Sequence, residues 1–271
     1  MRSSLIRRTA VVASAVSLAL LVTACGGDKA ADAGKNDKAG KDGGAASAPA
    51  PAAKVLTAAE LEKAVLAEGD VKGHKVSPAK AGEIGKPGDV TVDKQECLPL
   101  AEAASSIVVG TSTAHVTRKV VEEPKPSAGK SAGDMTEGEL EDAFVSSLAL
   151  TMTFDTLASY EGKGAEEAAA KLRAAGTACA GGFTVTQAGE KSKVLKVEEA
   201  ELAGGDEAAA WVLTSEIEAG KTMPIKVAAV RQGATLTTFM AVNLGAAMAG
   251  KDYPLPTAVI DAQVAKTAKL S

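Results

Sequence analysis

Aromatic side chains are scarce in this 271-residue chain. It has one Trp, two Tyr and four Phe. All seven lie at or after Phe144, so the bulkiest core contacts belong to the C-terminal half. Histidine is scarcer still, with only His74 and His115. There is no GxSxG elbow, no HExxH, no Walker loop and no dinucleotide fingerprint, so the common hydrolase, zincin and nucleotide-binding signatures are missing. No basic run is present and the formal net charge is −4, a poor match to nucleic acid. Beyond the first 24 residues no stretch is long and apolar enough to read as a membrane-spanning helix.

What is present begins at the N-terminus. Arg2, Arg7 and Arg8 precede an apolar run from Ala10 to Ala24, the layout of a secretory signal over residues 1–24. The run ends in Leu21-Val22-Thr23-Ala24-Cys25. Val22 to Cys25 resembles the lipobox of bacterial lipoproteins, which implies diacylglyceryl transfer to Cys25 and cleavage just before it. Two acyl chains, at about 0.8 kcal/mol per buried methylene, hold a protein to a membrane where one chain does so only weakly. An ordinary secreted protein with an incidental cysteine is the competing reading. Removing the three signal arginines takes the formal charge from −4 to −7.

From Gly26 to Lys54 there is no large apolar residue, and five lysines face four aspartates. Such a tract buries too little surface to offset its ordering entropy, so residues 25–54 are expected to form a lipidated, disordered tether. A binding tail would carry one dominant sign. Residues 55–271 are left for one folded domain.

Three cysteines become two once Cys25 is lipidated. Cys97 and Cys179 then sit in an oxidising compartment, where a disulfide is the economical reading. A metal site or a reactive thiol competes, but neither a CxxC spacing nor enough histidine supports zinc. Closing so long a loop stabilises by at most about 4.5 kcal/mol in the chain-entropy model.

Along the domain, Thr57 and Glu60 form a capping-box signature before Leu61, Ala64 and Val65. His74 to Val76 reads as a short strand, and residues 77–95 as loop. Pro99 opens a helix with Leu100, Ala103, Ala104 and Ile107 on one face. Ala114 to Val121 is a strand that runs into a polar loop ending at Gly138. The stretch Phe144 to Tyr160 has β composition, with Leu148, Leu150, Met152 and Phe154 alternating against Ala149, Thr151 and Thr153. An Ala-rich helix then delivers Cys179. The remainder alternates as an antiparallel meander, including Trp211, Leu213 and Ile217 on one side of a strand, and a last helix follows Pro254 and Pro256. The predicted class is α+β: an antiparallel sheet with helices packed mainly on one face, and one disulfide.

Four features in their order carry a resemblance: the helix at Leu61, the "CLPL" of Cys97–Leu100, Cys179 after its helix, and the "GGDEA" turn at Gly204–Ala208. Over residues 55–271 the chain resembles a group of actinobacterial, Streptomyces-like secreted lipoproteins. More distantly it resembles the extracellular sensor domains of mycobacterial receptor kinases of the PknH type. The resemblance implies a ligand-binding cleft between helices and a curved sheet. The chain departs from those sensors in having one candidate disulfide rather than two, and no kinase.

The candidate chemistry is thin. His115 lies in a predicted strand and His74 beside Gly73, both reading as structural or surface residues. Gly162-Lys163-Gly164 precedes a helix and could favour an anion, but Glu166 and Glu167 already complement that dipole. Asp206 and Glu207 could hold a cation, and read more simply as turn residues. Trp211 is a core anchor or the wall of a ligand pocket. No catalytic residue, metal ligand or cofactor is assigned. The reading is a palmitate-bearing, membrane-anchored, non-enzymatic lipoprotein on the extracytoplasmic face that binds a small lipid-like ligand or an envelope protein. An envelope enzyme and the solute-binding subunit of a transporter are the alternatives. Labelling with palmitate is expected to tag the chain and to be lost in Cys25→Ala; label persisting in that variant would remove the lipobox reading.

Overall fold

A computed structural model describes residues 53–124, 132–218 and 220–270. Cys25 and most of the expected tether lie outside the described residues. Thr57 starts the first helix, α1 (Ala58–Ala64), as the sequence predicts. Its hydroxyl accepts from the Glu60 amide at 3.3 Å, and its own amide donates to the Glu60 carboxylate at 2.9 Å. The elements that follow are β1 (His74–Pro78), β2 (Val90–Val92), α2 (Leu98–Ala104) and β3 (Ala114–Glu122). Next come α3 (Glu137–Leu148), β4 (Met152–Ser159) and α4 (Gly164–Ala178). The meander β5 (Phe183–Gln187), β6 (Glu190–Ala200), β7 (Glu207–Glu218), β8 (Lys221–Gln232) and β9 (Thr235–Val242) leads to α5 (Leu244–Met248) and α6 (Thr257–Thr267).

Among the described residues, nine strands form one sheet in the order β1-β3-β4-β9-β8-β7-β6-β5-β2, and the ladders are antiparallel. This is the α+β class with its antiparallel sheet and its single Cys97–Cys179 disulfide. The central strands are the most buried. In β8 the side chains of Val227 and Ala229 join one core, with α2 and α4, while Ala228 and Val230 join another. Successive strand residues face opposite sides, so both faces are covered. The expected helical layer is α2 with α4; the structure adds α6, through Val259 and Ile260, against the other face. Beside it α1 places Leu61 and Ala64 on Val116 of β3 and Leu157 of β4. The residues that permit this are small. Ala210 and Ala228 fill the second face without standing tall enough to push a helix away.

Three expectations change. Residues 77–95 are not all loop, because Val90–Val92 pairs with Val185–Gln187 as the edge strand β2. The strand expected from Phe144 starts only at Met152, because Glu137–Leu148 form α3, which also takes the last two residues of the loop expected through Gly138. The Thr136 hydroxyl accepts from the Glu139 amide at 3.4 Å and the Thr136 amide donates to the Glu139 carboxylate at 2.8 Å, a capping box that starts a helix ahead of the β-rich composition. Finally β4 has no solvent face: Thr153 to Ser159 are all buried. No helix among the described residues is long and apolar enough to cross a membrane.

The α4 layer sits close to the sheet at one point. A Cβ placed on Gly176 would lie 2.0 Å from the Trp211 indole nitrogen and 2.8 Å from Cε2 of the same ring. Gly to Ala inside a helix ordinarily stabilises by about 1 kcal/mol. Here the buried ring, 3% exposed, leaves no room to yield. Gly176→Ala is therefore expected to destabilise by about 1–3 kcal/mol, the usual overpacking range, read as a lower denaturant midpoint. A gain in stability would show that α4 can lift off the ring freely.

Candidate functional site

The predicted site residues are scattered. Cys25 lies outside the described residues. Cys97 and Cys179 are bonded with Cα atoms 5.8 Å apart, both fully buried, and they join the start of α2 to the end of α4. Trp211 stands in the core under α4. It does not line the open depression of about 450 Å³ formed by Glu199 to Ala203 with Ala208 and Ala209. His115 is exposed in β3, and the His74 ring lies 3.0 Å from the Lys72 carbonyl. Lys163 precedes α4 as its cap, with Glu166 and Glu167 in the first turn. Asp206 and Glu207 are committed to Arg231, whose Nη1 and Nε meet them at 3.0 Å each. Arg173 adds a second cation 3.3 Å from Glu207. These carboxylates close the β7 start onto the β8–β9 turn, where Asp206 also accepts from the Gly233 amide at 2.7 Å.

A residue not singled out from sequence is the most unusual one chemically. Asp155, in the middle of β4, is fully buried, and neither carboxylate oxygen has a hydrogen-bond partner among the described residues. Its cross-strand neighbours are Arg118 on β3 and Phe239 on β9. Arg118 does not close on it but turns outward to Glu62 on α1. On the same side, Lys266 of α6 pairs with Asp70 at 2.5 Å. Burial pushes the Asp155 carboxyl up to about 8, against the opposing pull of Arg118 and Lys266. At neutral pH the group is therefore a neutral acid. The one signal in the sequence is an aspartate within "TMTFDTLAS", since Asp is depleted from strands.

The third feature is a surface. Asn243 caps α5: its Oδ1 accepts from the Ala246 amide at 2.8 Å, while its Nδ2 donates to the Ala149 carbonyl at 2.7 Å and reaches Thr151 Oγ1 at 3.2 Å. The helix is thereby tied to the junction between α3 and β4. Contact is close, because a Cβ on Gly245 would stand 2.6 Å from the Ala149 backbone. Each of these two touching helices presents an exposed apolar pair at i, i+4 spacing. Leu140 and Phe144 of α3 are 43% and 63% exposed, and Leu244 and Met248 of α5 are 50% and 74% exposed. Paired apolar groups on a held scaffold are what an apolar partner recognises, whereas single exposed apolar residues mean little. The signals for it in the sequence are the Thr136/Glu139 box and the Asn243 cap.

The fold and these features define a disulfide-bonded α+β protein built on one antiparallel sheet. No family model matches the chain, and no curated protein matches it. Among solved structures, the extracellular domain of PknH from Mycobacterium tuberculosis is similar, with a TM-score of 0.46 and 12% identity over 80% of this chain and 97% of that one.

Asp155 yields a pH test. Its carboxyl titrates near the ordinary 3.8 when unfolded and near 8 when folded. The folded state then holds a proton that the unfolded state has released. The stabilisation of the protonated form is complete below about pH 4 and is lost as pH rises toward 8, with a slope of up to about 1.4 kcal/mol per pH unit. Asp155→Asn keeps the shape and removes the titration. Denaturant midpoints between pH 5 and 8 are expected to flatten in that variant relative to the parent. An unchanged slope would mean that Asp155 is already ionised in the fold.

Proposed function

We propose that this chain is a lipoprotein anchored through Cys25 on the extracytoplasmic face of the membrane. Its folded part is a non-enzymatic binding module for an apolar or amphiphilic ligand or a protein segment. The observation that carries the binding reading is the pair of apolar i, i+4 couples on α3 and α5, held in place by Asn243 and Gly245. The location reading draws support from Leu21-Val22-Thr23-Ala24-Cys25 and from a buried disulfide of the kind that persists in oxidising compartments. The non-enzymatic reading draws support from how the carboxylates are used: Asp206 and Glu207 hold Arg231, and Asp155 is sealed in the sheet. The lipid-like ligand expected at Trp211 moves in this reading to the surface of α3 and α5, because Trp211 is enclosed.

Native mass spectrometry with an added single-chain amphiphile tests it. The parent is expected to retain the amphiphile, and a variant carrying Leu244→Ser and Met248→Ser to lose at least tenfold in affinity, since each buried apolar side chain contributes about 1.5–3 kcal/mol. Equal retention by both proteins would remove this surface from the function. No retention by the parent, with no partner recovered in cells, would remove the binding reading itself.

A further inference from the structure

Asp155 faces the layer formed by α1 and α6. Leu157, two residues on and therefore on the same face, packs with Leu61 and Ala64 of α1. Phe239, the β9 partner of Asp155, packs with Val259 and Ile260 of α6. The carboxyl has no hydrogen-bond partner among the described residues, although a guanidinium stands beside it: Arg118 is its β3 register neighbour. Side chains directly opposite on an antiparallel pair project to one face with Cβ atoms about 5 Å apart, well within the reach of an arginine. Arg118 is bonded instead to Glu62 of α1.

The other charged groups of the surrounding elements are engaged or point elsewhere. On β3, His115 and Lys119 alternate to the opposite face, and Lys119 meets Glu83. The β9 strand carries no titratable residue. On α1, Glu60 pairs with Lys54 at 2.6 Å, and Lys63 is exposed. On α6, Lys266 holds Asp70 at 2.5 Å, and Asp261 is exposed.

Two carboxylates therefore compete for one guanidinium, and the charge on Asp155 decides between them. While Asp155 is protonated, an inward turn would bury the Arg118 cation without a counter-charge, and Glu62 keeps it near water. Once the proton has passed to solvent, a buried carboxylate without a partner is far more costly than an exposed one. Glu62, its side chain 57% exposed, can then be left to water, because an ion pair at the surface holds only weakly. Burial keeps the proton on Asp155 up to about 8, against the pull of Arg118 and Lys266, so the exchange falls on the alkaline side of neutrality.

We propose that Arg118 is a pH-sensitive latch: when Asp155 loses its proton, the guanidinium passes from Glu62 to Asp155 and α1 loosens on the sheet. The helix is the first of the described fold, seated through Leu61, Ala64 and Val65 with Val116 and Leu157. Its release opens that seat and leaves the strand ladders intact.

The test is an NMR titration of the isotope-labelled full chain from about pH 6 to about pH 9.5. The side-chain carboxyl carbon of Asp155 reports its ionisation, Arg118 Nε reports the guanidinium, and the Leu61–Val65 amides report α1. All three are expected to shift with one midpoint. Above it the heteronuclear NOE of the α1 amides should fall, while that of the Val227–Val230 amides in β8 stays level. Asp155→Asn is expected to abolish the steps at Arg118 and α1. Glu62→Gln, at an exposed position, should leave the Asp155 step and remove most of the α1 step. Lys266→Gln should leave all three. An Asp155 carbon that does not titrate in this range overturns the proposal, and so does one that titrates while Arg118 Nε stays still. An α1 step that survives Asp155→Asn or Glu62→Gln also overturns it. Loss of the step in Lys266→Gln assigns the exchange to Lys266 instead, and a fall in the β8 values alongside those of α1 replaces the latch by a general loosening of the fold.

Discussion

The contact between Trp211 and Gly176 sets the spacing on which this fold depends. The largest side chain in the protein lies on the sheet where α4 has no side chain at all. Around that point α4 buries Ala165, Ala168, Ala169, Leu172 and Ala175, so the helix settles close to the strands along its length. The disulfide then joins the end of α4 to the start of α2 and fixes the two helices of this layer to each other. Close packing of small residues also accounts for the scarcity of aromatics. A thin layer of Ala, Val and Thr has room for few rings, and those present are used as stops: Trp211 under α4, Tyr160 donating to the Val109 carbonyl, and Tyr253 donating to the Ala241 carbonyl at 2.6 Å.

The same small residues explain how far the fold could be read from sequence. The Thr57 box, the Cys97–Cys179 pairing and the β6–β9 meander were legible because each rests on a strong local rule. The second face of the sheet was not. Ala210, Ala228, Thr153 and Thr237 are ambivalent residues that suit water or a core equally, so alternation alone marks one buried face when there are two. Helix α3 was missed for a different reason. Phe144 to Leu148 have strand-like composition, but the capping pair Thr136–Glu139 begins a helix upstream that continues through them. The apolar surface at α3 and α5 depends on both elements, and so was invisible until the helix was placed.

Asp155 is the place where the fold departs furthest from the rule that buried charge is paired. Arg118 is its register neighbour, yet it bonds to Glu62. The Arg118 side chain is 14% exposed and that of Glu62 is 57% exposed, so this pair keeps contact with water. Turning inward to Asp155 would bury two ions at a desolvation penalty of several kcal/mol each. Holding Asp155 neutral avoids that penalty and leaves Arg118 available to fasten α1 to β3. The position of α1 and the protonation of a residue in the sheet are therefore coupled through one guanidinium.

Asp155 and Arg118 sit midway along β4, between the end where the chain enters the fold and the end that carries the apolar side chains. From Ala53 the chain passes through Leu56 and α1 onto the Ser159 end of β4, where Asp206, Glu207 and Arg231 clamp the neighbouring turn. The β4 and β9 strands carry the connection, fully paired over eight residues, to Val242 and the Asn243 cap. Both strands are covered on both faces through most of that length. A surface mounted on buried, fully hydrogen-bonded strands is positioned far more rigidly than one mounted on loops. Four exposed apolar side chains on such a mounting keep a defined geometry relative to the point where the chain enters the fold.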